Sequence, residues 1–521
     1  MYKINTSVDK PDIAYMKGEI ERLMERGLRL GNLDEIEKYY IAARDSLTQE
    51  IKDKYGIENP NSPKQIKEYL EQLSAEIPLT EKNDVIEVCY NNGKWTTNKE
   101  AMLTLSEMGY SIGRDIIDYR HVKKYAESVA SVKKYVDKDG LIHPRVTLGK
   151  TNRINYSDPG IMTIPKKLLW HIIAPYNEDA TLYSIDIKNQ EPSILINIVN
   201  EDVLKYALES EEGLYETMFK EILKPQVTLT VLIDTLKENR IYSIEELKRL
   251  PQVDPVSYLP VRPNCNSIYY NDERVVAIES VCQGGEYGVE PIYPKTVTIE
   301  TETGAAYELE VEWEKVKSNK RKNDYTLKGD IKGCEIRINK SERNEFKVAW
   351  LAMTYGASAY GIEKMCKRIN GKTVYDYISN LENMKKYRSM CNKLARNGQQ
   401  YIKTIFGTVL HADETDPNKL KRILLDLPIQ GTGADVLSLL IKHFNQEVVD
   451  RGLEGSLSLY YTRHDELIVE VSNSWIREIG IEEVEKTLRD IMEHQINDWT
   501  PFKVEIEQVE KGDLGIEIED D

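Results

Sequence analysis

The sequence predicts an α+β protein of more than one domain, on three observations. Residues 13–135 read mainly as charged, amphipathic helices. Residues 180–187 and 456–471 read as apolar strands that end at carboxylates. Residues 250–340 are rich in Val, Ile, Tyr and Thr with Gly, Pro and Asn punctuation, the composition of short strands and turns. The chain has 521 residues, 40% of them hydrophobic and 30% charged. That composition excludes a wholly disordered chain, and that length provides ample core. No run of about 18 apolar residues occurs, so no membrane span is expected. Met1-Tyr-Lys-Ile-Asn-Thr-Ser-Val-Asp-Lys10 lacks a signal-peptide apolar core. The six Cys form no C-x-x-C pair, which predicts a reduced, cytoplasmic protein without a disulfide scaffold. The net charge of −17 argues, taken as a whole, against a nucleic-acid partner.

Each element has a local reason. Ile13, Met16, Ile20, Leu23, Met24 and Leu28 recur at spacings of three and four, which predicts helix over 13–55. Asn59-Pro-Asn-Ser-Pro63 breaks it. Ser62 is a good N-cap and Pro63 a good first residue for a helix over Lys64–Leu73. Further helices are predicted at Asn98–Met108, Asp115–Tyr135, 343–357 and 427–450, the last opened by Pro428. Ala180–Ile187 reads as a buried strand, with a helix start near Glu191-Pro192. Residues 456–471 read as two strands turning at His464-Asp465.

The chemistry begins with carboxylates. Asp186 ends an apolar strand, and Asp465 and Glu466 sit at a hairpin tip. A strand-end Asp taken alone caps a turn. Two held side by side repel and call for a cation, and Mg²⁺ takes carboxylates together with substrate phosphates. In Arg343-Asn-Glu-Phe-Lys347-Val-Ala-Trp-Leu351-Ala-Met-Thr-Tyr355-Gly356, positions four apart stay on one broad helix face. Arg343 and Lys347 there suit a triphosphate, the one as a planar fork, the other as a point charge. Pro428-Ile-Gln430-Gly-Thr-Gly-Ala-Asp435 lacks the Gly-Lys-Ser/Thr of a phosphate loop, so that reading is rejected. Thr151-Asn-Arg153 opens a polar loop.

The order Arg153, Asp186-x₄-Glu191, Arg343-x₃-Lys347-x₇-Tyr355-Gly356, Gln430-Gly-Thr-x-Ala-Asp435, His464-Asp465-Glu466 resembles the family A DNA polymerases, the bacterial DNA polymerase I type. The resemblance runs along nearly the whole chain. Asn61-Ser-Pro-Lys-Gln65 and Asp118-Tyr-Arg120 with Lys123-Lys124 look like thumb segments, and Pro501-Phe-Lys-Val-Glu-Ile-Glu507 like the last palm strand. It implies a right-hand polymerase fold, with a palm antiparallel sheet, a helical thumb and helical fingers. The expected domains are an N-terminal helix and thumb over 1–140, palm over 141–195, fingers over 196–420 and palm again over 421–521.

The resemblance also implies roles. Asp186, Asp465 and the Ile187 carbonyl would hold two Mg²⁺ ions, with Mn²⁺ as a substitute, and Glu466 would support them. Arg343 and Lys347 would grip the dNTP triphosphate, Lys347 protonating pyrophosphate. Tyr355 would sit at the templating position. Glu191 would exclude a 2′-hydroxyl, with Gln190 and Leu351 beside the nucleotide. Arg153 and Gln430 would reach the minor groove of primer-template DNA, where acceptors recur at every correct pair. Arg422, His464 and Asp426 would lie against the template-primer.

Leu351 replaces a usual aromatic, which predicts poor use of dideoxynucleotides, and Asp426 replaces a common Asn. Asp186 and Arg343 stand 157 residues apart. The surplus of about 100 residues matches the β-rich stretch over roughly 225–335, an expected surface insertion in the fingers. Its end is basic, Lys315–Lys347 holding eleven Lys/Arg against five Asp/Glu; either Lys315–Lys340 grips DNA or a processivity or replisome protein, or the stretch is a solvated decoration. Cys265, Cys282 and Cys334 lie in the stretch without the paired spacing of a zinc site. About 15 residues precede the first helix, too few for an exonuclease domain. The expectation is therefore synthesis without proofreading, in the cytoplasm of a bacterium or phage-infected host, for phage or mobile-element replication.

Single-subunit RNA polymerases share several of these residues, but Glu191 and Glu466 speak against them. A non-catalytic DNA-binding relative would not need all three acids and both cations. The acidic balance no longer weighs against DNA once localised. Glu505–Asp521 carries eight acids and one Lys, whereas the DNA-facing segments, Lys123–Lys134 and Lys419–Arg422 among them, are basic. Salt-sensitive binding through a few local contacts follows.

Overall fold

The structure is a computed structural model that describes residues 10–76, 90–91, 94–222, 226–231, 268–279, 295–317, 325–338, 340–366, 369–493, 503–509 and 514. Cys265, Cys282 and the basic Lys320-Arg321-Lys322 lie outside the described residues. The chain divides into two compact units. One comprises Asn5–Gln190, Phe406–Thr408 and Gln430–Asp521, the other chiefly Glu191–Ile405 and Val409–Ile429.

In the first unit, the helical periodicity over 13–55 resolves into two helices, Ile13–Arg26 and Leu33–Tyr55. The single long helix expected there is broken because Gly27 takes φ 95° and the next two residues pair as a strand with Leu141–Ile142. Asn32 restarts the helix by accepting the Glu35 N–H at 3.2 Å. The Ser62 cap forms as predicted, its hydroxyl accepting the Gln65 N–H at 3.4 Å ahead of the Pro63–Glu76 helix. Ile66 and Leu70 from that helix close a core with Ile51, Met102, Leu105, Ile112 and Ile116.

The same unit holds a four-stranded antiparallel sheet. Its order is Leu457–Arg463, Glu466–Ser472, Ala180–Ile187, Val504–Gln508. Tyr183, Ile185, Leu467 and Val469 are fully buried, and they alternate with the residues of the opposite face. The first two strands in that order join through the two-residue turn His464-Asp465, with His464 at φ 55°.

In the second unit, the Lys340–Thr354 helix packs on the Leu214–Ile222 helix. Phe346 lies with its ring 6.4 Å from Tyr215 and 5.8 Å from Phe219, edge to face in both cases. It ends in a Schellman motif. Ala357 N–H reaches the Ala352 carbonyl at 2.9 Å, Gly356 N–H reaches Met353 at 3.0 Å, and Gly356 has φ 89°. A Cβ on Gly356 would stand 3.1 Å from Leu425 and 3.5 Å from the Arg422 stem, so a side chain there would also press on Leu425.

The predicted β-rich stretch forms a seven-stranded antiparallel sheet. Its entry strand, Gln226–Val231, pairs with Tyr325–Ile331, Gln226 opposite Asp330. The two ends of the stretch are thereby clamped beside each other.

The helix expected to start at Pro428 starts instead at Pro417 and runs to Asp450. Asp416 caps it, accepting the N–H groups of Asn418 and Lys419 at 2.9 Å each. Pro428 lies inside, where it offers no N–H to the Leu424 carbonyl one turn back. The Cys391 thiol donates to that carbonyl at 3.5 Å, and the Tyr387 hydroxyl donates to the Leu425 carbonyl at 2.9 Å. Burial pushes the Cys391 thiol up to about 12, so it keeps the proton it donates. Cys391→Ala is expected to lower stability by about 1–3 kcal/mol in urea unfolding, from the orphaned carbonyl. Among the described residues this helix alone is long and apolar enough to cross a membrane. Its apolar window is 83% buried within the protein, as a core helix is.

Candidate active site

Asp186, Ile187, Gln190, Arg153, Gln430, His464, Asp465 and Glu466 belong to the first unit. Glu191, Arg343, Lys347, Leu351, Tyr355, Arg422 and Asp426 belong to the second.

In the first unit the register of the sheet gathers acids. Glu466 and Glu505 each stand directly opposite Asp186, one on either neighbouring strand, and Asp465 precedes Glu466 at the turn. Directly opposed residues share a face, and like charges so placed destabilise a sheet. Burial first, then Asp465 and Glu466, raise the Asp186 carboxyl to about 7. Lys166 works against this. Its ammonium lies 2.8 Å from Glu466 and 3.8 Å from Glu507. Burial pulls Lys166 down, but Glu466, Glu507 and Asp186 outweigh it and leave it above its ordinary value. Lys188 pairs with Glu505 at 3.3 Å, and the Ser184 hydroxyl donates to Glu466.

The donor set suits a hard divalent cation. Among the described residues no three His, Cys, Asp or Glu side chains are gathered as a ready metal cage. Asp186 and Asp465 carry like charges that repel, and two carboxylates would leave an ion's other positions to water or phosphate oxygen, as Mg²⁺ prefers. Ile187 has a hydrocarbon side chain, so only its backbone carbonyl could serve such an ion.

Beside this row, Gln190 is buried to 3% exposure, and among the described residues its amide nitrogen has no hydrogen-bond partner. A Cβ on Gly433 would stand 2.6 Å from the Gln190 amide oxygen and 3.6 Å from an Arg153 nitrogen. The glycine of the Gln430 segment thus makes room for Gln190 and Arg153. Gly433→Ala is expected to cost about 1–3 kcal/mol in urea unfolding, and truncating Gln190 to Ala in the same chain should recover part of it. Gln430 is half-buried. Burial, then Arg463 and Arg153, lower the His464 imidazole below its ordinary value.

In the second unit the Lys340–Thr354 helix buries Phe346, Ala349, Trp350 and Met353. Arg343, Lys347 and Leu351 occupy its other side, Lys347 exposed and the others half-buried. The Tyr355 hydroxyl donates to Glu191. Arg343 pairs with Glu216 and lies 5.5 Å from the Tyr215 ring centroid. Arg422 is exposed and Asp426 half-buried.

Lys166, Ser184, Glu505, Tyr215 and Glu216 were not singled out from sequence. The alternation Val504-Glu505-Ile506-Glu507 offered a signal for Glu505. Lys166 and Glu216 meet their partners only through tertiary packing.

A sequence profile of DNA polymerase family A matches residues 31–231 and 330–511, leaving out most of the seven-stranded sheet. DNA polymerase I of Streptococcus pneumoniae is 29% identical over 170 residues, 31% of this chain and 18% of the relative. DNA polymerase I of Aquifex aeolicus is 26% identical over 183 residues, 33% of this chain and 30% of the relative. The chain is thus matched to under a third of either relative's length. Among solved structures, the POL domain of Pol1 from M. smegmatis, in complex with DNA primer-template and dNTP, superposes with a TM-score of 0.59 at 17% identity. The superposition covers 95% of this chain and 69% of that one. The fold is that of a polymerase domain, and the profile match extends over most of the sequence: the chain belongs to DNA polymerase family A.

Proposed function

We propose that the chain is a template-directed DNA polymerase that adds deoxynucleotides to a primer 3′ end. The observation that carries the reading is the acid row: Asp186 opposite Glu466, with Asp465 at the adjoining turn, a repulsive arrangement that a divalent cation relieves.

Asp186 and Asp465, with the Ile187 carbonyl, would hold two Mg²⁺ ions, which when bound supply positive charge to the attacking and leaving oxygens of an in-line displacement. Glu466 and Lys166 keep the neighbouring charge balanced. Arg343 and Lys347 bind the triphosphate, and Lys347 gives a proton to the leaving pyrophosphate. Glu191, held by Tyr355, fills the space that a 2′-hydroxyl would need. Gln190 presents a donor to the nucleotide, and Arg153 and Gln430 present donors to the minor groove. Arg422 and His464 touch the template-primer, and Asp426 lies near it. The seven-stranded sheet takes no part in this chemistry and is the place for a grip on DNA or on a processivity protein.

The test is extension of a primer on a template with a 5′ overhang in Mg²⁺, with dNTPs or rNTPs. Extension by dNTPs alone is expected, abolished in Asp465→Ala with DNA binding retained. No extension, or equal use of rNTPs, would overturn the reading.

A further inference from the structure

Arg343 is not an open cation. Two neighbouring residues of the Leu214–Ile222 helix hold its guanidinium: the Glu216 carboxylate at its Nε edge and the Tyr215 ring below it. The contact is firmly based, because Phe346, one turn along from Arg343, packs edge to face against the rings of both Tyr215 and Phe219. Glu216 also has a second place to rest. It stands in the first turn of its helix, where unpaired N–H groups favour an anion. The other oxygen of its carboxylate lies 3.1 Å from where a Cβ on Gly213 would be, and Gly213 has φ 92°. A residue with a side chain at 213 would crowd the carboxylate from that side.

We propose that Glu216 is a built-in competitor for the nucleotide triphosphate, occupying Arg343 until the substrate's phosphates displace it toward its own helix start. The inference rests on the reading of Arg343 as a triphosphate partner. A carboxylate that stayed in place would face the incoming phosphates as a like charge, so its presence weakens nucleotide binding in either geometry. The carboxylate thus sets the nucleotide concentration at which the enzyme works.

The experiment compares wild type with Glu216→Gln in two measurements: KM for dNTP in primer extension, and affinity of the full chain for inorganic tripolyphosphate by titration calorimetry. Glu216→Gln is expected to lower KM about three- to fivefold with kcat retained, and to tighten tripolyphosphate binding by a similar factor, the scale of a partly exposed ion pair. In an Arg343→Ala background the substitution should gain less. Glu216→Asp, which keeps the charge but draws it back by one methylene, should move in the same direction by less. An unchanged or raised KM overturns the proposal, because Glu216 then orients Arg343 rather than competing for it. Extension without tighter tripolyphosphate binding also overturns it. Tighter binding in a chain that extends no primer supports the competition and rejects the polymerase reading.

Discussion

Asp186→Asn is expected to lower primer extension by about a thousandfold or more and, in the same protein, to raise metal-free stability at pH 8.5. The first effect follows from removing one of two carboxylates whose charge would hold the ions, a contribution of several kcal/mol. The second follows from the raised carboxyl. In the folded chain Asp186 titrates near 7, against an ordinary 3.8. Between those values the folded state holds a proton that the unfolded chain has released, so the contribution of Asp186 to wild-type stability falls as pH rises from about 4 to 7 and then levels off. Asn carries no charge and escapes the penalty. At about 1.4 kcal/mol per pH unit, less what solvent takes back at a partly exposed carboxyl, the gain is about 2–3 kcal/mol. Urea unfolding in EDTA at pH 5 and pH 8.5 checks it: the advantage of Asn should be larger at the higher pH and shrink when Mg²⁺ is added. A pH-independent advantage would show that the carboxylate is not under this strain.

Glu191→Ala is expected to lower discrimination against ribonucleotides by about 10- to 100-fold, the range for relieving a steric clash of 1–3 kcal/mol. The residue is a good candidate for a rigid barrier because its carboxylate accepts the Tyr355 hydroxyl. That bond fixes a side chain that would otherwise swing away. Tyr355→Phe should therefore loosen the barrier by a smaller factor, with the carboxylate present but no longer oriented. The measurement is kcat/KM for dATP against ATP opposite template T. Equal selectivity in all three proteins would remove Glu191 from sugar recognition.

The parts legible in the sequence are those written in local pattern. Ala180–Ile187 reads as a buried strand and its ends match the strand observed. Asn61-Ser62-Pro63 carries its own helix start. The Arg343 to Tyr355 spacing forecasts the side of the helix that stays out of the core, and Gly356 marks its end. Local pattern failed where a distant segment changed the outcome. The periodicity before and after Gly27 is continuous, and only pairing with Leu141–Ile142 interrupts it. Pro428 reads as a helix start because its missing N–H is harmless there. It is tolerated mid-helix because Cys391 and Tyr387, from the Glu382–Arg396 helix, donate to the neighbouring carbonyls. Lys166 and Glu216 are the same case in the candidate site: their significance lies in which charge they meet, and spacing carries no trace of that.

The clamp between Gln226–Val231 and Tyr325–Ile331 has a consequence for how such a chain can change length. Once the two strands are hydrogen-bonded, the closure entropy of whatever chain lies beyond them grows only with the logarithm of its length. The host sequence on either side therefore registers little difference between a short hairpin and a whole domain at this position. Gain, loss or exchange of material there is close to neutral for the rest of the protein, which makes the paired stem a natural grafting point for new cargo.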